Sequence, residues 1–301
     1  MPFRAAFDCL WCGAAWQTRS GDDLEGWAQL CPSCIGKADG NGFLSFRLRT
    51  GLAERSRAAK GEAEGSPPPP HPATDPAGLD AGIRDWFAAL GAGWDDRYVR
   101  GGRFSRGPVR DLAWQLELDA VTTWLDRQPL RGEIVELAAG TGWWSTLLAG
   151  KGSLSLYDAN EGVLEAARRR LVAHGLRAHL HVRDAWAEPD RAVDSLFVGH
   201  WLSLVPDDRL GTWLRLAGRG LGPGGTFAFI DRAGDPEAEA VDDPIPVGGM
   251  VRRLLPDGRA VPVPQVARSV EEVSAALVAA GFGSVEVSST GRFFVMGSAR
   301  R

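Results

Sequence analysis

From residue 112 onward, short apolar runs alternate with stretches of helical spacing, and that alternation leaves few folds open. The runs at 134–137, 154–157, 180–182, 195–198 and 226–230 have the length and composition of buried strands. Before, between and after them, helical periodicity predicts helices over 112–125, from 143 to 149, and over 162–174, 207–220 and 271–280. Pro129 and Gly132 stop the first helix, and Gly222-Pro223-Gly224-Gly225 forms a turn before the fifth strand. Strand–helix alternation of this kind predicts a parallel sheet with helices on both faces. Two further runs, 285–287 and 293–296, lie close enough for a hairpin and add an antiparallel edge. The expected body is therefore an α/β fold with a doubly wound, mostly parallel, seven-stranded sheet.

The first fifty residues follow another logic. All four cysteines of the chain sit there as two C-x-x-C pairs, Cys9/Cys12 and Cys31/Cys34. Tetrahedral zinc takes four thiolates, and a two-residue gap lets one turn supply two of them. The spacing points to a structural Zn2+ site in a small zinc-ribbon-like module, with disulfides as the alternative. Within residues 1–50 five acids balance five basic residues, so the module lacks the positive excess expected of a phosphate-binding surface. Residues 51–78 turn to Ala, Gly and charged residues and then to a proline run, Pro67 to Pro70, which reads as a linker. The expected organisation is 1–50 metal module, 51–78 linker and 79–301 catalytic body.

The strongest chemical signal is Glu136-Leu137-Ala138-Ala139-Gly140-Thr141-Gly142, running from the first strand of the body into a helix. Gly140 and Gly142 let the backbone pass close to a ligand, and the helix start offers free N–H groups. In doubly wound sheets such a crevice is the expected binding site. A nicotinamide loop favours a third glycine where this chain has Ser145. Glu136 on the preceding strand repels a pyrophosphate and welcomes an ammonium group. A cofactor bearing an amino acid fits better than a dinucleotide.

On these residues the body resembles the class I S-adenosylmethionine-dependent methyltransferases, over roughly residues 95–300, with a Rossmann-like sheet. Glu136, Gly140 and Gly142 match the family's acid and glycines, and Ala138 replaces its first glycine. The resemblance implies that Asp158, with Ala159 beside it, binds the ribose hydroxyls. It implies that Asp184 accepts the adenine amino hydrogen beside the Ala185 backbone. Residues before the first strand often form a lid in this family. Trp94-Asp95-Asp96-Arg97-Tyr98 is the candidate, with the Tyr98 ring over the sulfonium. His200, at the end of the fourth strand, is the one catalytic candidate, because an ordinary imidazole pKa suits a general base near neutral pH. Its plainer role is to orient the substrate or to pack beside Trp201. Arg252, Arg253 and Arg259, in a segment rich in proline, glycine and charge, are candidates for a substrate carboxylate or phosphate, against the simpler reading of solvated surface.

The net charge of −4 does not favour nucleic acid as an obligatory partner. No run of 18 apolar residues spans a membrane, and Met1-Pro2-Phe3-Arg4 leads into the cysteines without an apolar signal region, so a cytoplasmic protein with reduced thiols is expected. The leading expectation is a methyltransferase acting on a small molecule. The alternatives are an RNA or protein methyltransferase whose zinc module recruits the substrate, and a non-catalytic zinc-ribbon adaptor that binds the cofactor as a ligand. The sequence sets neither the acceptor atom nor an oligomeric state.

Overall fold

The computed structural model describes residues 6–8, 15–17, 33, 76–100, 105, 107–233 and 249–301. The chain divides into two units, residues 1–73 and 74–301. In the first, strands β1 (Ala6–Asp8) and β2 (Ala15–Gln17) pair antiparallel, with Phe7 opposite Trp16. Cys9, Cys12, Cys31 and Cys34 lie outside the described residues, as does most of the 51–78 linker.

The second unit is built on seven strands: β3 (Glu133–Leu137), β4 (Ser153–Asp158), β5 (His179–Val182), β6 (Val193–Gly199), β7 (Leu221–Arg232), β10 (Gly283–Ser289) and β11 (Phe294–Arg300). Their order is β10–β11–β7–β6–β3–β4–β5. Pairings from β7 through β5 are parallel, and β11 joins β7 antiparallel. The expected seven-stranded, mostly parallel sheet is present. The strand order reverses between β3 and β6, which opens a crevice at their carboxyl ends.

Period-two alternation sends neighbouring strand residues to opposite faces, and both faces are apolar. Val135, Leu196, Val198, Phe227 and Phe229 pack under helices α6 (Asp207–Arg219) and α7 (Val270–Ala279). Ile134, Leu156, Phe197, Ala228 and Ile230 pack under α3 (Pro108–Arg127), α4 (Ser145–Leu148) and α5 (Glu161–Ala173). Trp213, Phe197, Phe227 and Phe229 are fully buried and form the bulk of the two cores. Helix α3 runs longer than its apolar spacing suggests. Leu118, Val121 and Leu125 face the sheet, while Leu112 and Leu116 on the same helix are exposed.

Two elements depart from the sequence reading. Helix α1 (Pro76–Leu90) begins within the expected linker, because a proline at a helix start costs no hydrogen bond and Leu79 and Ile83 find a core. That core is supplied by the second departure. The proline- and charge-rich stretch contains a hairpin, β8 (Met250–Leu254) and β9 (Ala260–Pro264), whose Val251, Val261 and Val263 pack on α1. A Cβ added at Gly82 would lie 2.8 Å from the Pro262 carbonyl, so the glycine permits the close approach of helix and hairpin. Arg268 ties the following chain down, its guanidinium donating to the Leu202 and Val205 carbonyls and to Asp207. No helix among the described residues is long and apolar enough to cross a membrane.

Candidate functional site

The loop after β3 winds through three left-handed residues, Ala138 (φ +52°), Gly140 (+54°) and Gly142 (+74°). Ala138 therefore holds a backbone conformation that favours glycine. Among the described residues nothing lies within 4 Å of a Cβ built on Gly140, so its missing side chain leaves open space in the cleft. The Gly142 position faces α5, and a Cβ there would meet the Ala167 Cβ at 2.8 Å.

Asp158, at the end of β4, grips this loop. One carboxylate oxygen accepts the Gly140 N–H at 2.9 Å, and the other accepts the Asn160 N–H at 2.9 Å. Asp158 does not cap α5. Asn160 does, its side chain accepting from the Gly162 N–H. Burial raises the Asp158 pKa, and the two backbone donors oppose that rise. Glu136 is buried on β3 and accepts a 2.5 Å hydrogen bond from the Ser145 hydroxyl. Asp184, after β5, accepts from the Trp186 N–H and from Arg84 of α1, each at 2.9 Å. The expected adenine acceptor is thus already shared with an arginine.

The segment ahead of the sheet closes over the loop. A 3-10 turn (Gly91–Trp94) leads into the short helix α2 (Asp95–Tyr98). Asp95 accepts the Thr141 hydroxyl at 2.6 Å and pairs with Arg170 of α5, whose Nε donates to the Thr141 carbonyl. This clasp, absent from the sequence reading, sets Tyr98 over the loop. The Tyr98 ring stacks on Trp143 with centroids 4.3 Å apart and planes 7° apart. Burial drives the Tyr98 phenol pKa upward.

Glu136, Ala138, Gly140, Asp158, Ala159, Asp184, Ala185, Tyr98 and His200 all line one cleft of about 990 Å3, open mouth included. Gly142 lies behind it, against α5. Trp144 and Trp201 also line the cleft, and their buried indole N–H groups have no hydrogen-bond acceptor among the described residues. Sequence reasoning did not assign these tryptophans, although Trp143 and Trp144 directly after the glycine loop were a visible signal.

His200 occupies the far end. Its φ is +55°, and its N–H donates to the Ile230 carbonyl at 2.8 Å. The ring sits among Trp94, Tyr98 and Phe294, with Nδ1 3.9 Å from the Asp231 carboxylate. The ordinary imidazole pKa expected from sequence does not hold. Burial pushes it down to about 4, against the pull of Asp231, and Arg97 and Arg232 push it the same way as burial. His200 is neutral at physiological pH.

Glu136 moves in the opposite direction, up to about 8, because burial penalises its charge and Asp158 adds repulsion. The two groups predict a pH profile for the ligand-free protein. Between pH 4.5 and 8 folded Glu136 keeps a proton that the unfolded chain releases, so stability falls as pH rises. Between pH 4 and 6.5 the unfolded chain protonates His200 and the folded one does not, so stability rises with pH. The slopes, each about 1.4 kcal/mol per pH unit, cancel where they overlap. Urea unfolding at a series of pH values is expected to show the alkaline fall from 6.5 to 8. Glu136→Gln removes that fall and leaves the acid limb. An unchanged alkaline slope in the variant would mean that Glu136 is ionised in the folded protein.

A glycine loop at the reversal of a parallel sheet, with acids on β3, at the end of β4 and just after β5, defines a cofactor-binding α/β enzyme. The comparisons narrow this. A methyltransferase-domain family model matches residues 134–225. Two solved structures of DhpI are similar. The DhpI–SAM–HEP complex is 30% identical, covering 76% of this chain and 100% of that one with a TM-score of 0.59. The DhpI–SAH complex is 28% identical, covering 75% and 98% with a TM-score of 0.59. A possible exported protein from Bordetella parapertussis, 22% identical with a TM-score of 0.50 over 70% of this chain and 79% of that one, shares the fold. No curated protein sequence matches. The chain belongs to the class I S-adenosylmethionine-dependent methyltransferases and is an enzyme of that family.

Proposed function

We propose that the protein methylates a small-molecule acceptor, with S-adenosylmethionine (SAM) held in the cleft beside the glycine loop. The observation that carries this reading is the convergence of Glu136, Asp158 and Asp184 with the open Gly140 backbone on that cleft. These residues fit the cofactor group by group. Glu136 meets the ammonium, and ionises as it does so. Asp158 uses the lone pairs left over from Gly140 and Asn160 for the ribose hydroxyls. Asp184 and the Ala185 backbone, with Ala159 alongside, take the base. The Trp144 and Trp201 N–H groups suit the carboxylate. Bound SAM supplies an activated methyl group on a sulfonium. The protein's part is to hold the acceptor in line with it and to exclude water. Tyr98, Trp94 and Trp143 form the dry aromatic wall, and an aromatic face favours positive charge. His200, neutral and weakly basic, orients the acceptor rather than serving as a strong proton sink.

The test is tritiated-methyl labelling of a host lysate, separated into RNA, protein and metabolite fractions. Label is expected in the metabolites. Label in RNA or protein would overturn the small-molecule reading.

For the first unit we keep the reading of a structural zinc bound by Cys9, Cys12, Cys31 and Cys34, supported by their spacing and consistent with a cytoplasmic protein. Among the described residues no cluster of His, Cys, Asp or Glu is suited to a metal. Purified protein is expected to carry about one zinc per chain, lost on Cys9→Ala or Cys34→Ala substitution. Metal analysis showing none, with disulfides found by mass spectrometry under native reducing conditions, would dismiss the site.

A further inference from the structure

Asp231 is a buried acid with no part in holding the cofactor. It stands near the end of β7, 3% exposed, directly after the fully buried run from Phe227 to Ile230. Its carboxylate is fixed from two sides. Oδ2 accepts the Ser203 N–H at 3.0 Å, from a 3-10 turn (Leu202–Leu204) that follows β6, and Oδ1 accepts the Arg232 N–H at 2.7 Å. Oδ1 is also the oxygen that faces His200, 3.9 Å from Nδ1. A carboxylate oxygen carries two lone pairs, so this one has a second to offer.

The imidazole is confined on its other sides. Trp94 and Tyr98 close in from the segment ahead of the sheet and Phe294 from β11, with ring centres 6.3, 5.7 and 6.1 Å away. The charged groups that act on the ring are Asp231 and two cations, Arg97 of α2 and Arg232 of β7. Guanidinium groups donate hydrogen bonds and do not accept them. Asp231 is therefore the charged group toward which an imidazole N–H can turn. A neutral imidazole has one such N–H, and the partner of one nitrogen decides which of the two carries it. Facing a carboxylate, Nδ1 is stabilised by carrying the proton, whereas a bare lone pair there would be repelled. The separation exceeds a formed hydrogen bond, and contacts of this kind tighten when ligands close a site. The backbone agrees with a position held for use. His200 keeps a φ of +55°, a conformation that costs about 1–3 kcal/mol and is concentrated at functional sites.

We propose that Asp231 is a positioning residue: it keeps the His200 proton on Nδ1 and so presents Nε2 to the acceptor as a bare lone pair. The site then takes a molecule whose reacting atom still carries its hydrogen, a hydroxyl or an N–H group. An X–H bond held by Nε2 fixes where the lone pair of X points, which is the alignment that methyl transfer needs. The proposal rests on the reading of His200, which lines the cofactor cleft, as the residue that orients the acceptor.

The experiment uses the full chain, isotopically labelled at nitrogen and saturated with S-adenosylhomocysteine, and long-range proton–nitrogen correlation NMR near neutral pH. The His200 signals are those missing from His200→Gln. Wild-type His200 is expected to be protonated on Nδ1 with Nε2 bare. Asp231→Asn keeps the shape of the side chain and removes its charge, and is expected to move the tautomer ratio about tenfold or more toward Nε2–H. With the labelled metabolite as acceptor, the same variant is expected to lower kcat about tenfold or more and to leave the KM for SAM unchanged. Protonation of wild-type His200 on Nε2, or an even mixture, would overturn the proposal whatever the variant does to folding. An unchanged ratio in folded Asp231→Asn would overturn it as well and leave Asp231 as a tie between β7 and the turn. A methyl group found on carbon or sulfur in the labelled metabolite would overturn the acceptor class. Failure of S-adenosylhomocysteine to bind would instead overturn the cofactor reading, and the tautomer is then still read on the ligand-free protein.

Discussion

Gly142→Ala is expected to destabilise the methyltransferase unit by about 3 kcal/mol, which lowers its melting temperature by roughly 6–12 °C. Two separate costs add. At φ +74° an added Cβ carries a left-handed penalty of about 1–2 kcal/mol. The same Cβ would lie 2.8 Å from the Ala167 Cβ and 3.0 Å from the Ala167 Cα. Ala167 is fully buried on α5, which is packed on the sheet, so neither atom has room to retreat. Gly140→Ala provides the contrast. It carries a similar backbone penalty at φ +54° but meets nothing within 4 Å among the described residues. Its cost to stability is expected to be about half as large, while its new methyl group intrudes on the cleft and weakens SAM binding. Scanning calorimetry of the two variants separates the roles. Equal melting temperatures for both would show that the loop does not press on α5.

Asp158→Ala is expected to raise the SAM dissociation constant about a hundredfold, in a protein that still folds. A charged hydrogen-bond acceptor contributes about 1.5–3 kcal/mol, and Asp158 acts twice. It offers its free lone pairs to the ligand, and it holds the Gly140 and Asn160 N–H groups that shape the loop. The variant loses both, and Gly140 is released to other conformations. Isothermal titration measures the affinity, and circular dichroism confirms the fold. A loss of less than about threefold would reduce Asp158 to a structural tie between β4 and the loop.

Much of this was legible in the chain itself. Four of the five parallel strands announced themselves because they are buried on both faces and dominated by apolar residues, while β5, the half-exposed edge strand, showed only a short apolar signal at Leu180 and Val182. The glycine loop and its acids were legible because their chemistry is local: Gly140 and Gly142 are the residues that left-handed backbone asks for. Other features were hidden for one shared reason. The β8–β9 hairpin lies in a stretch rich in charge and proline, and its valines acquire meaning only against Leu79 and Ile83 of α1. Leu112 and Leu116 carry helical spacing yet remain exposed, because periodicity marks a stripe without saying which part of it is covered. His200 was expected to titrate near neutrality. Its shift follows from Trp94, Tyr98 and Phe294 closing around it, none of them its neighbours in sequence. Of Arg252, Arg253 and Arg259, Arg253 stands over the Trp86 ring and donates to the Gln265 side chain. Arg259 pairs on the surface with Asp85 and Asp257.

The sequence by itself determined the class of fold and the identity of the cofactor loop. Strand period, helix period and left-handed glycines are properties of a few consecutive residues, written out where they act. The tertiary structure alone decided the protonation of Glu136 and His200 and the closing of Asp95, Thr141 and Arg170 into the clasp that sets Tyr98 over the loop. Desolvation and electrostatic fields depend on what surrounds a group within several ångströms, and in this chain those surroundings come from strands, helices and turns that only folding brings together.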